Sequence, residues 1–297
     1  MCTAIVDGNL FGRTLDLEGS YGEEIAITPR RFEHKFLYAK PPKNRLALIG
    51  TAHIYNSAPL YYDAANEKGL CAAALRFSDL TVYRKSIKDR LNLASFEIIP
   101  WLLCNFESAK EARAAVENLN ITDDNLSSTL PSTPLHWMIA DSKSSFIIES
   151  VADGVKIYDN HLGIMTNSPD FPAQITNLEK CSDNELPGDG SSTSRFIRAN
   201  YAKKHTIPEA DNALAISRFF HIMSIVSLPN GFSRGIGDKP MKTLYTSCIH
   251  TNDLTYYFTS YACRQIHGVR LHNFDLDSDK LITLPMPDKE KISFIHQ

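Results

Sequence analysis

The chain opens Met1-Cys2-Thr3-Ala4-Ile5-Val6-Asp7-Gly8-Asn9-Leu10-Phe11-Gly12-Arg13-Thr14-Leu15-Asp16. An Asp-Gly pair between two apolar runs is a strong local signal for a β-hairpin closed by a two-residue turn. With Asp7 and Gly8 as the turn, the cross-strand pairs are 6:9, 5:10, 4:11, 3:12 and 2:13. Cys2 is then expected opposite Arg13, both side chains on one face. A guanidinium beside a thiol favours the thiolate. Asp16 lies three residues further on, where it is expected to orient the thiol or a nearby ammonium. Initiator Met is generally removed when the second residue is small. That would leave Cys2 first, its free amine (ordinary pKa about 7.7–8.0) serving as a base beside a thiol nucleophile. The plain alternative is a cysteine packed in a buried strand and an edge ion pair between Arg13 and Asp16 that is worth little.

Working outward, 46–55 and 69–77 read as further strands. Residues 94–104 read as a helix that Pro100 is expected to kink or break. Ser108 with Glu111 is a capping-box pattern, so a helix is expected over 109–119. Strands return over 135–141, 145–151 and 155–158. Helices are expected over 194–204 and 213–227, and a hairpin over 244–251 and 254–262. No stretch of linker composition divides the chain and no repeat recurs along it. Helices grouped between runs of antiparallel strands predict one α+β domain over residues 1–297, built of layered sheets and helices.

Composition excludes several classes. Lys and Arg number 31 against 34 Asp and Glu, a net charge of −3 that provides no field for capturing nucleic acid or an anionic membrane. No run of 18 apolar residues is present to span a bilayer. The first basic residue is Arg13, too late for a secretory signal, so the mature fold is expected to begin at residue 1 or 2, in the cytoplasm. The six cysteines are scattered without a C-x-x-C pair, which argues against a disulfide framework or a zinc ribbon. No H-E-x-x-H, G-x-S-x-G, Walker A or G-x-G-x-x-G motif occurs. Asp275, Asp277 and Asp279 begin like a calcium loop, but Met286 stands at the twelfth position, where a bidentate Glu is needed. No metal site is expected.

Met1-Cys2-Thr3, Phe11-Gly12-Arg13-Thr14-Leu15-Asp16, Asn66-Glu67-Lys68-Gly69-Leu70, Leu135-His136-Trp137-Met138, Thr166-Asn167-Ser168-Pro169, Leu186-Pro187-Gly188-Asp189, Ser194-Arg195-Phe196-Ile197-Arg198 and Tyr245-Thr246-Ser247-Cys248 follow one another along the chain. In this order they resemble the choloylglycine hydrolases, the family of conjugated bile salt hydrolases and penicillin V acylases. The resemblance runs from residue 2 to about residue 262. It implies an N-terminal-nucleophile hydrolase with a four-layer αββα sandwich that cleaves a C–N amide bond without metal or organic cofactor. Carried over residue by residue, it makes Cys2 the nucleophile, supported by Arg13 and Asp16. Asn167 is implied to donate its side-chain amide to the oxyanion, and Arg195 to be a further active-site cation. Such donors matter because losing one typically costs about 10²–10³ in rate. The implied partner is a small molecule, a glycine- or taurine-conjugated bile salt, or else penicillin V or another N-acyl amide.

Two departures from the family pattern stand out. Where bile salt hydrolases usually carry Leu-Asn-Phe, this chain has Leu75-Arg76-Phe77. The backbone N–H at that position is implied to serve the oxyanion. The Arg76 side chain is expected either to bind the substrate's anionic end or to pair with Asp79. The resemblance implies a homo-oligomer, a dimer or a tetramer; the segment 178–185 is short where many relatives insert a loop that helps assemble the tetramer, so a smaller assembly, a dimer or a monomer, is expected. The apolar acyl group is expected between loops at 56–62 and 127–134, which carry Pro and Tyr; ordinary loop packing is the equal alternative for these residues.

Overall fold

The structure, a computed structural model, describes residues 1–42, 45–128, 130–182 and 186–295. Along the chain come strands β1 (Cys2–Asp7), β2 (Leu10–Leu17), β3 (Glu23–Thr28), β4 (Leu48–Tyr55), β5 (Ala58–Asn66), β6 (Cys71–Arg76) and β7 (Leu91–Ala94). Helices α1 (Ile98–Asn105) and α2 (Ala109–Ala115) lead to β8 (Leu119–Thr122), β9 (Leu135–Ala140), β10 (Ser145–Val151), β11 (Gly154–Asp159) and β12 (Ile164–Met165). Helices α3 (Phe171–Glu179), α4 (Ser192–His205) and α5 (Asn212–Ser224) follow. The chain ends with β13 (Ser233–Arg234), β14 (Pro240–His250), β15 (Thr255–Ser260), β16 (His267–Arg270) and β17 (Ile282–Pro285).

Two antiparallel sheets face each other. The first runs β12-β1-β2-β14-β15-β16 with β13 on β14; the second runs β11-β10-β9-β6-β5-β4-β3-β17. Side chains alternate across each strand, so every strand feeds two layers. On β6, Cys71, Ala73 and Leu75 join Ile5, Leu15 and Met138 in the core that includes the sheet–sheet interface. Ala72 and Ala74 turn the other way, with Trp137, against Ile98, Leu102 and Leu103 of α1 and Ala112 of α2. Phe196 of α4 and Phe219 and Met223 of α5 cover the first sheet from its far side. The result is the αββα layering that the family resemblance implied.

Several local expectations need correction. The hairpin turn is Gly8-Asn9, one residue later than expected, with Gly8 at φ 59°. Asp7 is the last residue of β1 and pairs with Leu10, so Cys2 lies opposite Leu15 and Arg13 opposite Ala4. The two-residue shift in pairing leaves the parity unchanged, so Cys2 and Arg13 still share a face. Helix α1 begins only at Ile98, which puts Pro100 in its first turn, where no intrahelical N–H is required. The helix after Ser108 stops at Ala115, because Leu119–Thr122 leaves to pair in parallel with β7. Residues 58–66 are a strand rather than a loop, entered through Asn56 and Ser57 at φ 47° and 62°. Of the 127–134 stretch, residue 129 lies outside the described residues. Of the short segment 178–185, residues 183–185 do so as well.

Candidate active site

The hairpin β1–β2 lies inside the first sheet, so both of its faces are buried. One face meets the second sheet. There the Arg13 guanidinium, fully buried, donates through Nη1 to the backbone carbonyls of Tyr62 on β5 (2.9 Å) and Ala74 on β6 (2.6 Å). Its Nε donates to the carbonyl of Thr14, while Nη2 has no partner among the described residues. Ala4 and Cys2 share this face by alternation, so the Cys2 side chain is 2% exposed on the same side as the guanidinium. Burial opposes the charge on Arg13. The negative groups around it, Cys2 first and then Tyr245, Asp63 and Asp16, hold its proton affinity above the ordinary guanidinium value.

The other face meets the helical layer and carries Thr3, Thr14 and Asp16. Asp16 accepts from Thr243 Oγ1 on β14 (2.7 Å) and from Thr14 Oγ1 (3.2 Å). Its side chain is thus turned away from Arg13, and the edge pair considered for those two residues does not form. Asp16 instead faces Arg195, 3.9 Å away on α4. Arg195 donates through Nη1 to the Cys2 carbonyl (2.5 Å) and Thr3 Oγ1 (2.6 Å), and through Nη2 to Asn167 Oδ1 (2.7 Å). Burial lowers its proton affinity, opposed by Asp16 and Cys2. Asp189 is occupied otherwise, accepting from Ser191 N and Ser194 Oγ at the start of α4.

Asn167 joins the parts. Its Oδ1 accepts the Cys2 backbone N–H (2.7 Å), and its Nδ2 donates to the Arg76 carbonyl (2.7 Å). The second N–H of Nδ2 makes no hydrogen bond among the described residues. The loop carrying Asn167 is clamped from behind. Ser192 Oγ accepts its backbone N–H, and Gln174 Nε2 donates to its carbonyl. His136 Nε2 donates to the Thr166 carbonyl (2.7 Å), while His136 Nδ1 meets Glu149 Oε1 (3.2 Å). The amine of Met1 donates to the Asp16 carbonyl (2.6 Å), and burial lowers its pKa.

All six residues expected from the sequence, Cys2, Arg13, Asp16, Asn167, Arg195 and Arg76, therefore converge. Arg76 ends β6, half-buried, and its Nε donates to Ser78 Oγ (2.6 Å), not to Asp79. Phe77, next to it, donates its N–H to the Pro134 carbonyl, so Pro134 borders this end of the site. Sequence reasoning missed the clamp residues His136, Glu149, Gln174 and Ser192, and the buried Asp63 between the sheets. His136, Tyr245 and Ser247 stood inside quoted motifs, but nothing local says that their side chains converge. Among the described residues no cluster of three or more His, Cys, Asp or Glu is arranged to hold a metal ion.

A four-layer αββα sandwich whose first strand presents a buried thiol close to its amino end has the layout of the N-terminal-nucleophile hydrolases. Within that class, the model of the linear amide C–N hydrolases, choloylglycine hydrolase family, matches residues 2–284, and the chain belongs to this family. It is 38% identical to a bile salt hydrolase/transferase of Lactiplantibacillus plantarum, over 96% of this chain and 97% of that protein. Its fold matches a mutant of the conjugated bile acid hydrolase from Clostridium perfringens with a TM-score of 0.91, at 29% identity and over 100% of both chains. Penicillin V acylase from Agrobacterium tumefaciens shares the fold with a TM-score of 0.79, at 20% identity, over 96% of this chain and 91% of that one.

Proposed function

We propose that the chain hydrolyses the amide bond of glycine- or taurine-conjugated bile salts, with Cys2 as nucleophile. The observation that carries this is the Cys2 nitrogen, 2.7 Å from Asn167 Oδ1, on a residue whose thiol shares its face with the buried Arg13. Removal of Met1 turns that nitrogen into an amine held in place by the same acceptor. The amine takes the thiol proton as Sγ attacks the substrate carbonyl. Negative charge then develops on the carbonyl oxygen. The open N–H of Asn167 Nδ2 and the backbone N–H at Arg76 are its donors. Collapse returns the proton to the departing glycine or taurine nitrogen. Water then cleaves the acyl-thioester by the same route, releasing the free bile acid. Arg195 grips the Cys2 carbonyl, Asp16 faces that guanidinium from β2, and Arg13 holds the thiol's surroundings positive.

Support for bile salts over penicillin V comes from relatives with bile salt names matched over almost the whole chain at up to 38% identity. The working compartment we infer is the cytoplasm, in keeping with cysteines scattered along the chain without a C-x-x-C pair. No helix among the described residues is long and apolar enough to cross a membrane. In solution we expect a homo-oligomer no larger than a dimer, because the segment that helps build a tetramer is short here; a stable tetramer by light scattering would show that other surfaces suffice.

The test is a side-by-side assay on glycocholate, taurocholate and penicillin V, with mass spectrometry of the intact protein to follow loss of Met1. Bile salts should be cleaved far faster than penicillin V. Cys2→Ala should abolish turnover in a folded protein, and Cys2→Ser should leave a small residue of it, since an alcohol is the weaker nucleophile. Faster cleavage of penicillin V would make the chain an acylase of that type. Turnover by Cys2→Ala would remove the mechanism altogether.

A further inference from the structure

Between the sheets, opposite the nucleophile hairpin, Asp63 of β5 is fully buried inside a cage of hydroxyls. Tyr245 Oη donates to its Oδ1; Ser247 Oγ (2.9 Å) and Tyr256 Oη (2.8 Å) donate to its Oδ2. The direction of the Ser247 bond is set from outside: Ser247 Oγ accepts the Arg13 backbone N–H (3.1 Å), so its own hydrogen points to the carboxylate. With two tyrosine hydroxyls donating beside it, the cage suits an ionised acid. Burial pushes the Asp63 carboxyl above the usual range, and Arg13 and the three hydroxyls pull against that push.

A buried guanidinium is costly unless an opposite charge balances it. Asp16 is spoken for by Arg195 on the far side of the hairpin. Asp63 is the acid on the inner side, next to the tyrosine and serine of β14 that flank Arg13. We propose that Asp63 is a positioning residue that balances Arg13 and thereby limits how strongly the Cys2 thiol is drawn toward its thiolate. The benefit is chemical. A thiolate that is too strongly stabilised is a poorer nucleophile, because nucleophilicity falls with basicity. A partly neutralised Arg13 leaves a thiol that ionises when the base is ready and still attacks well. The other charged or titratable groups that act on Cys2 are Arg13 of β2, Tyr62 of β5, Arg195 of α4 and the terminal amine; Asp16 acts on Arg13, Arg195 and the amine in turn. Tyr245, Tyr256 and Cys71 complete the surroundings of Asp63.

This inference rests on Cys2 being the nucleophile, but its test needs no substrate. Alkylation of Cys2 by iodoacetamide, followed by peptide mass spectrometry from pH 5 to 10, compares Asp63→Asn with the parent, both after loss of Met1. Asp63→Asn keeps the shape and removes the charge. The pH midpoint of alkylation should fall by about one pH unit. The plateau rate at high pH should fall about threefold, following the lower basicity. Asp63→Glu, which keeps the charge, should restore the parent midpoint. If Asp63→Asn does not fold, Asp63→Ser removes the same charge from the same cage and should move the midpoint the same way. An unchanged midpoint, or a rise, overturns the proposal, because loss of an anion near a thiol that it governs can only favour the thiolate.

Discussion

At Arg76 a single side chain distinguishes this site from the usual family pattern. Its Nε is tied to Ser78 Oγ, and its terminal nitrogens make no hydrogen bond among the described residues. The Arg76 carbonyl meanwhile accepts from Asn167, so the backbone is fixed next to Asn167 while the side chain leaves it only half-buried. The carboxylate of glycine or the sulfonate of taurine is the anion that a guanidinium so placed would bind. Because that contact is made in ground and transition states alike, its loss raises KM and spares kcat. Arg76→Asn should raise KM for glycocholate and taurocholate about tenfold, as removal of roughly 1.4 kcal/mol of binding would do in a half-exposed site. Uncharged amides of the same acyl group should be nearly unaffected. An unchanged KM for the conjugated bile salts would leave Arg195 as the remaining candidate, although its fork is already committed to Cys2, Thr3 and Asn167.

At the level of the elements, the hairpin works because β2 can approach its neighbours closely. A Cβ on Gly12 would stand 2.0 Å from the Ser247 carbonyl oxygen of β14 and 2.9 Å from the Phe219 ring of α5. Neither the strand nor the packed ring can step aside. Gly12→Ala should therefore destabilise the fold by about 1–3 kcal/mol or more, as overpacking does, seen as a lower urea midpoint, and it should reduce activity by shifting Arg13. A midpoint equal to the parent's would show that β14 can move. The hairpin also shows how far local sequence reaches. The two strand runs at 2–6 and 9–16 and the punctuation at Asp7-Gly8 were readable, and with them the shared face of Cys2 and Arg13. The turn position was not, because Asp-Gly and Gly-Asn are both good turn pairs and the choice depends on pairing with β12 and β14. Helix α3 was missed although Asp170 caps it and Pro172 sits in its first turn. With Pro169 just ahead of it and Pro172 inside its first turn, its apolar stripe is too short to register. The convergence of Asn167, Arg195 and Arg76 on Cys2 came from the family resemblance; spacing along the chain carries no such information.

Across the whole molecule, neither sheet is a continuous stretch of chain. The first takes β1, β2 and β12 to β16; the second takes β3 to β6, β9 to β11 and, finally, β17. The chain thus leaves the first sheet after β2, returns with β12 and departs again for β17. The buried Arg13 of the first sheet spends two hydrogen bonds on carbonyls of the second. Opening either sheet alone would expose the apolar face of the other and strand that guanidinium without acceptors, a cost of several kcal/mol. At 297 residues a chain is long enough for partly folded states to be the ordinary case. The interleaving predicts otherwise, namely one cooperative unit. The two tryptophans, Trp101 of α1 and Trp137 of β9, both report on the outer helical layer and the second sheet. Cys248, buried on β14, reports on the first. Urea unfolding at equilibrium should give the same midpoint by tryptophan fluorescence and by pulsed alkylation of Cys248. Exposure of Cys248 at a clearly lower urea concentration would mean that the first sheet opens by itself, and that the bonds from Arg13 do not tie the two layers together.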